Sequence, residues 1–100
     1  MQLFIDTSSN QKTIIWLGEK ETVKDSSVWR SQVVLPMIKE LLDMQDLTLQ
    51  DITEIEVATG PGSFTGLRVG VAIANALGFA LQIPVNGKLI SGKQVVLPTY

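Results

Sequence analysis

The sequence predicts one α/β domain, because segments with strand character alternate with segments of helical periodicity along its 100 residues. Hydrophobic residues make up 45% of the chain, which supplies one core, and the formal net charge is −2. The absence of cysteine and histidine from the sequence excludes disulfides, thiolate zinc sites and Ser-His or Cys-His nucleophile pairs. Because the net charge is mildly negative, the sequence excludes a broad basic surface that binds nucleic-acid phosphates.

The first quarter of the chain predicts three strands joined by short turns. Gln2–Asp6 carries three consecutive apolar residues, Thr13–Leu17 is rich in β-branched and aromatic residues, and a weaker strand follows at Thr22–Asp25. Short connections favour antiparallel neighbours, so these strands predict a meander with the spatial order 3-2-1.

A helix, a strand, a second helix and a fifth strand follow. Ser31–Met44 has apolar residues at helical spacing, with Ser31 as a candidate N-cap and Pro36 either in the first turn or at a kink. The remaining segments are a strand at Glu54–Thr59, a helix at Thr65–Gln82 and a strand starting at Pro84. The order β-β-β-α-β-α-β, with right-handed crossovers, predicts the sheet order 3-2-1-4-5. Both helices then lie on one face, and the other face has none.

Asp6, Thr7, Ser8 and Ser9 follow the first strand and have two interpretations. An aspartate at a strand end, followed by hydroxyl side chains, can hold a metal ion or a phosphate. The same residue types also form turns in which their side chains accept hydrogen bonds from nearby backbone N–H groups. From spacing alone, the turn is the favoured interpretation.

A glycine-rich loop, Gly60-Pro-Gly-Ser-Phe-Thr-Gly-Leu-Arg-Val-Gly70, leads into the second helix. The free N–H groups of a helix N-terminus attract anions, and Ser63, Thr65 and Arg68 would add hydrogen-bond donors. The alternative is a tight turn that caps the helix, with Phe64 as an apolar plug. The loop matches neither the Walker pattern nor the dinucleotide fingerprint, and both interpretations stay open on the residues alone.

Small residues form a stripe along the second helix. The stripe consists of Gly66, Gly70, Ala74 and Gly78, spaced four residues apart. Each glycine inside a helix costs about 1 kcal/mol relative to alanine, which indicates close approach of another backbone, either the chain's own first helix or a helix of another chain. The opposite stripe, Val69, Ile73 and Leu77, is bulky and is expected to pack on the sheet.

Two further classes are disfavoured. A two-metal nuclease needs acidic residues that converge at strand ends, but the strand at Glu54–Thr59 ends without one, so no metal site is predicted. The N-terminus lacks the basic and apolar regions of a secretory signal. The apolar stretch Val69–Ile83 is interrupted and too short for a bilayer core of about 30 Å. The default expectation is a soluble, cytoplasmic protein.

Three segments together resemble the TsaB (YeaZ) family. They are Leu3-Phe4-Ile5-Asp6-Thr7-Ser8, Leu35-Pro-Met-Ile-Lys-Glu-Leu-Leu42 and the loop from Gly60 to Gly70. The similarity covers residues 1–87, and the loop is its most specific part. It implies one half of an actin/Hsp70-like (ASKHA, RNase H-like) fold, in agreement with the predicted strand order.

The resemblance also implies a role. TsaB proteins are non-catalytic partners in forming N6-threonylcarbamoyladenosine at position 37 of tRNA. They bind the catalytic protein TsaD through their two N-terminal helices, self-associate through the same surface, and recruit the ATPase TsaE through the complex. By this resemblance the chain contacts tRNA only indirectly and acts in the cytoplasm. It would have no cofactor of its own, apart from a nucleotide bound weakly or shared at the partner interface.

Carried onto this chain, the resemblance names two groups of residues. The expected partner contacts are Val33, Met37, Leu67, Val71, Ala74, Asn75 and Gly78. The expected motif-loop residues, which fix the helix start or touch a shared nucleotide, are Asp6, Thr7, Ser8, Ser63, Thr65 and Arg68. A Gly70→Leu change is expected to block association and to leave the fold intact.

The chain departs from the family after Pro84-Val85. Family members continue into another helix and a second ASKHA half, whereas residues 88–100 predict a hairpin or an extended tail. A natural short form is expected in preference to a fragment. The alternatives to the scaffold role are a nucleotide-binding module and a catalytic ASKHA half, with TsaD-like transferase or peptidase activity.

Overall fold

The computed structural model describes residues 1–25 and 30–99, and it confirms the α/β architecture. The strands are β1 (Gln2–Asp6), β2 (Lys12–Leu17), β3 (Lys20–Asp25), β4 (Glu54–Val57), β5 (Pro84–Val85) and β6 (Lys88–Leu89). The helices are α1 (Arg30–Met44) and α2 (Phe64–Leu81), and a single 3-10 turn spans Leu49–Asp51. The side chains of Arg30 and Ser31 lie outside the described part, and so does the cap predicted at Ser31.

All six strands form one sheet with the order β3-β2-β1-β4-β5-β6. The predicted order 3-2-1-4-5 is therefore correct, and β6 extends it by one strand. β1 lies in the middle, where Phe4 is opposite Trp16 of antiparallel β2 and opposite Glu56 of parallel β4. The parallel pairing requires a crossover connection, which α1 supplies.

β5 and β6 form a hairpin through Asn86 and Gly87. Both residues have positive φ angles, 49° and 79°, as the central residues of a tight hairpin turn require. The Asn86 side chain continues the pairing toward β4, since it donates to Val57 O at 3.0 Å and accepts from Val57 N at 2.8 Å. This hairpin includes only Lys88 and Leu89 of the tail predicted at 88–100, and residues 90–99 form neither a helix nor a strand.

One face of the sheet forms the core with both helices. Alternate strand residues are buried there, which is the pattern of a half-buried strand. The strands contribute Leu3, Ile5, Ile15, Leu17, Ile55 and Val57, and α1 contributes Val34, Met37, Ile38 and Leu41. Both helices lie on this face, as predicted.

The opposite face is open in the part of the chain that the structure describes. Phe4 and Ile14 are half-buried there, and Trp16 and Val23 are exposed. No helix among residues 1–25 and 30–99 packs against these side chains.

α1 contains Pro36 beyond its first turn. A proline inside a helix has no N–H to donate to the carbonyl four residues earlier. The ring is exposed, so the apolar face of α1 packs on the sheet without involving it.

α2 is long and apolar enough to cross a membrane by length and composition alone, and within the described residues it is the one helix of this kind. The expectation from Val69–Ile83, that this stretch is too short, is therefore wrong. Six residues of α2 are buried in this fold, among them Leu67 and Val71. The helix packs here as the core helix of a folded domain.

Candidate functional site

The two predicted motif loops lie side by side at the carboxyl ends of β1 and β4. Ser63 N donates to Ser8 O at 2.8 Å, which joins the loop after β4 to the loop after β1. Gly62 permits this approach, because a Cβ atom there would lie 2.6 Å from Ser8 O. The peptide bond between Gly60 and Pro61 is cis.

Asp6 is engaged in a local turn. Its Oδ1 accepts from Ser8 N at 2.9 Å and from Ser8 Oγ at 2.6 Å. The side chain therefore closes the loop after β1 in the way that aspartate commonly does in turns. This geometry confirms the turn interpretation of Asp6 and Ser8.

Thr7 fixes the start of α2 to the end of β1. Its side chain is fully buried, and its Oγ1 donates to Gly66 O at 2.5 Å. The next turn of α2 also meets Thr7, because a Cβ atom on Gly70 would overlap Thr7 Oγ1. Thr7 thus has a structural role in docking α2 on the sheet.

Ser63 is the N-cap of α2, and its side chain accepts from Gly66 N at 3.2 Å. Thr65 and Arg68 are exposed in the first turn and a half, and Arg68 Cζ lies 5.4 Å from the centre of the Phe64 ring. The loop is therefore a capped turn, as the second interpretation predicts. Phe64 is exposed rather than a buried plug, which corrects that part of the prediction.

The small-residue stripe of α2 faces the chain's own sheet. Gly66, Gly70, Ala74 and Gly78 are all buried. A Cβ atom on Gly78 would overlap Val85 of β5, as one on Gly70 would overlap Thr7. The stripe therefore lets the helix backbone approach strand ends and does not pack on another helix, which contradicts the prediction. The opposite stripe is half-buried and packs against the core cluster, so it is only partly covered.

Most of the predicted partner contacts are buried inside the chain itself. Met37, Leu67, Val71, Ala74 and Gly78 are all buried, the last two as members of the sheet-facing stripe. Val33 is half-buried against the core. The five buried residues are covered by the chain itself in this conformation, whereas Val33 is only partly covered. The Gly70→Leu test fails for the same reason, since leucine would collide with Thr7 and disturb the fold.

An apolar groove lies between α1 and α2, on the outer side of both helices. Its lining residues are Leu35, Thr65, Arg68, Val69, Ala72 and Ile73, and its volume is about 540 Å³. Leu35 is 52% exposed despite its size. We call this surface the interhelix groove. It carries a single charged side chain, Arg68, so its floor offers apolar contact area to another protein.

A second surface of α2 is covered by the end of the chain. Residues 95–99, which we call the latch, run along the helix. Asn75 Nδ2 donates to Val96 O at 2.9 Å, and Val96 N donates to Asn75 Oδ1 at 3.0 Å. Asn75, a predicted partner contact, thus contacts the chain's own latch. The sequence signal was a lone amide in an apolar helix, but its partner lies 21 residues away and no spacing rule connects the two.

Groups of metal-ligating side chains are absent from the described residues. No three Asp, Glu, His or Cys side chains there lie close enough to share an ion. Glu40 and Asp43 form exposed ion pairs with Lys24 and Lys39.

Comparisons with known proteins fit this arrangement. A family model described as TsaD, tRNA N6-adenosine threonylcarbamoyltransferase, matches residues 26–87. The TsaB protein of Bacillus subtilis is 36% identical over 88 residues, which cover 84% of this chain and 38% of the relative. The TsaB protein of Haemophilus influenzae is 36% identical over 86 residues, covering 83% and 36%.

The solved structures give the same result. YeaZ from Pseudomonas aeruginosa aligns with a TM-score of 0.73 at 31% identity, over 84% of this chain and 42% of that chain. A second structure, described as an uncharacterized protein with similarity to peptidase YeaZ from Pseudomonas aeruginosa, aligns with a TM-score of 0.74 at 31% identity, over 84% and 40%. The chain spans about two fifths of the length of these relatives.

Proposed function

The chain belongs to the TsaD family of proteins, within which it is similar to the TsaB (YeaZ) proteins, and from that premise we propose that it is a non-catalytic scaffold subunit in the biosynthesis of threonylcarbamoyladenosine in tRNA. It binds a TsaD-like protein through the outer surfaces of α1 and α2. A TsaE-like ATPase and tRNA join through the complex, in the cytoplasm, and the chain alone forms a homodimer through the same surface.

The interhelix groove is the observation that carries this proposal. Large apolar side chains that stay exposed beside a groove mark protein interaction sites, and Leu35 lies at the rim of this one. Thr65 and Arg68 of the motif loop line the groove, but Thr7 and Ser63 do not, so a partner helix can dock there without disturbing the contacts of Thr7 and Ser63. The partner contacts proposed here are accordingly Leu35, Arg68, Val69, Ala72 and Ile73.

The polar side chains of the motif loops support a scaffold in preference to an enzyme. One solved relative is described by its similarity to a peptidase, and a serine nucleophile requires an adjacent base. Ser63 Oγ accepts a backbone N–H, and Ser8 Oγ closes a turn with Asp6. Both serines therefore stabilise loop geometry, and the sequence has no histidine to activate either one.

A nucleotide shared with the partner remains part of the proposal. Thr65 and Arg68 are exposed at the start of α2, where helix N–H groups favour anions, and both also line the interhelix groove. Titration of ATP should accordingly show tighter binding to the complex with the TsaD-like protein than to the chain alone. Equal affinity for both would contradict a shared site.

The scaffold role is tested by the mass in solution after size exclusion, for the chain alone and mixed with the TsaD-like protein of the same organism. We expect a homodimer that converts into a heterodimer. Ala72→Glu should weaken both associations at least tenfold, because the carboxylate would lose its water in an apolar interface.

Ala80→Glu is the matched control, since Ala80 is an exposed alanine of the same helix outside the groove. It should associate as the wild type does. If Ala72→Glu also associates normally, the interhelix groove is not the docking surface. A monomer that ignores the TsaD-like protein would remove the scaffold role itself.

A further inference from the structure

The latch is held through its backbone. A side-chain amide carries one acceptor and a donor group at the spacing of a peptide group, and Asn75 uses both on the two sides of Val96, at 2.9 and 3.0 Å. This pairing involves only backbone atoms of the latch and none of its side chains. It therefore recognises an extended segment as such.

A single latch side chain enters the core. Val96 is 5% exposed and belongs to the core cluster, whereas Val95 and Leu97 on either side are exposed. A crevice of about 230 Å³ between latch and helix is lined by Arg68, Val71, Ala72 and Asn75. Burial of Val96 in the core cluster, not the crevice beside it, makes this position favour one aliphatic residue.

The far end of the latch is anchored in the loop just after β4. Thr59 O accepts from Thr99 N at 2.6 Å and from Thr99 Oγ1 at 3.2 Å. The carbonyl of Thr99 lies against Gly60, where any Cβ atom would collide with it. Both anchors, at Asn75 and at Thr59, thus contact backbone atoms of the latch.

The connection into the latch is a turn that closes on itself. Ser91 N donates to Gln94 O at 2.9 Å, and Ser91 Oγ accepts from Lys93 N and Gln94 N at 3.1 Å each. Gly92 has nothing within 4 Å of its Cβ direction. Residues 91–94 are exposed. The latch can therefore leave α2 by movement at this turn, without rearranging the sheet.

We propose that the flank of α2 at Asn75, together with Thr59, is a binding cleft for an extended peptide segment, and that the chain's own Val95–Thr99 is its resident ligand. The ligand class is an extended apolar segment with a valine-sized residue opposite Asn75. A free N–H three residues later reaches Thr59. The cleft borders the interhelix groove at Arg68 and Ala72, but it stands independently of the proposed scaffold role.

The test uses a labelled peptide with the sequence of residues 94–100 and the full-length chain carrying Val96→Ser, which weakens the resident ligand. Fluorescence anisotropy should show at least tenfold tighter peptide binding to this variant than to the wild type, whose own latch competes. Adding Asn75→Leu should reduce that binding at least tenfold. A control peptide with aspartate at the position of Val96 should not bind.

Two outcomes would overturn the cleft: no binding of the valine peptide to the folded Val96→Ser variant, or binding that is indifferent to Asn75. A second measurement covers the case in which Val96→Ser does not fold. In the wild type, excess peptide should accelerate amide exchange at Val96 and Thr99 at least threefold and leave Ile5 and Ile15 unchanged, because the peptide traps the open latch. Exchange of Val96 at the rate of the sheet, indifferent to peptide, would show that the latch is inseparable from the fold.

Discussion

Three polar side chains satisfy backbone groups at the places where elements meet. Thr7 binds Gly66 O under α2, Asn86 pairs with Val57 of β4, and Asn75 pairs with Val96 of the latch. A buried backbone group left without a partner costs free energy comparable to a lost hydrogen bond. Each of these side chains therefore acts as a joint between segments that are distant in sequence.

Thr7→Val removes the hydroxyl under α2 and keeps the shape of the side chain. We expect the free energy of unfolding to fall by about 1–3 kcal/mol, because Gly66 O loses a buried donor. Urea denaturation followed by circular dichroism measures the change. Thr22→Val is the matched control, since the Thr22 hydroxyl donates an exposed hydrogen bond to Glu40 at 3.3 Å. Its effect should stay within about 0.5 kcal/mol. Equal losses at both sites would refute the role of Thr7.

Gly70→Ala tests the close approach of α2 to the end of β1. Helix propensity alone predicts stabilisation by about 1 kcal/mol. We expect destabilisation by about 1–3 kcal/mol instead, because the added methyl group collides with the buried Thr7. Thermal unfolding decides the sign, and Gly92→Ala, in open space, should be near neutral. A higher melting temperature for Gly70→Ala would show that Thr7 moves aside at little cost.

At the scale of elements, the two helices divide their surfaces differently from the prediction. α1 buries one stripe and exposes Leu35 and Pro36. In α2, Gly70 and Gly78 pack on the sheet, Val69 and Ile73 line the interhelix groove, and Asn75 contacts the latch. The two candidate surfaces for other molecules, groove and cleft, thus lie next to each other on α2 and meet at Arg68 and Ala72.

Pro36→Ala belongs to this scale, because it changes α1 and no packed side chain. Proline costs about 3 kcal/mol relative to alanine inside a helix, and Pro36 is exposed. We expect the free energy of unfolding to rise by about 1–3 kcal/mol, measured by the urea midpoint. A fall would mean that the ring supports the core. Association of this variant should equal that of the wild type, as the ring does not line the interhelix groove.

At the scale of the whole molecule, periodic patterns in the sequence predict the elements and their buried sides. The sequence does not predict which element packs against which. The alternation in Leu3 and Ile5 and the helical spacing of α1 each specify an element and its buried side, so fold class and strand order follow. The stripe from Gly66 to Gly78 predicts that another segment packs closely against α2. Small residues alone do not indicate whether that segment is a strand or a helix. In the structure the stripe packs on the sheet. The candidate docking residues therefore lie on another side of α2.

The candidate site shows the same limit. The side chains of Asp6, Ser8 and Ser63 form hydrogen bonds with residues two or three positions away. Sequence rules for turns and helix caps predict such contacts. Asn75 and Thr59 act on residues 96 and 99, and no local rule reaches across that separation. The interhelix groove needs both helices in place before Leu35 and Ala72 become neighbours.

The central position of β1 has a consequence for synthesis on the ribosome. Its antiparallel neighbour β2 emerges directly after it, whereas its parallel neighbour β4 follows only after α1. During translation, one edge of Gln2–Asp6, which contains the apolar Phe4 and Ile5, therefore stays unpaired until β4 has been synthesised. Unpaired strand edges are templates for other chains, so the interval before Glu54–Val57 emerges is the period in which nascent chains are most prone to stick to one another.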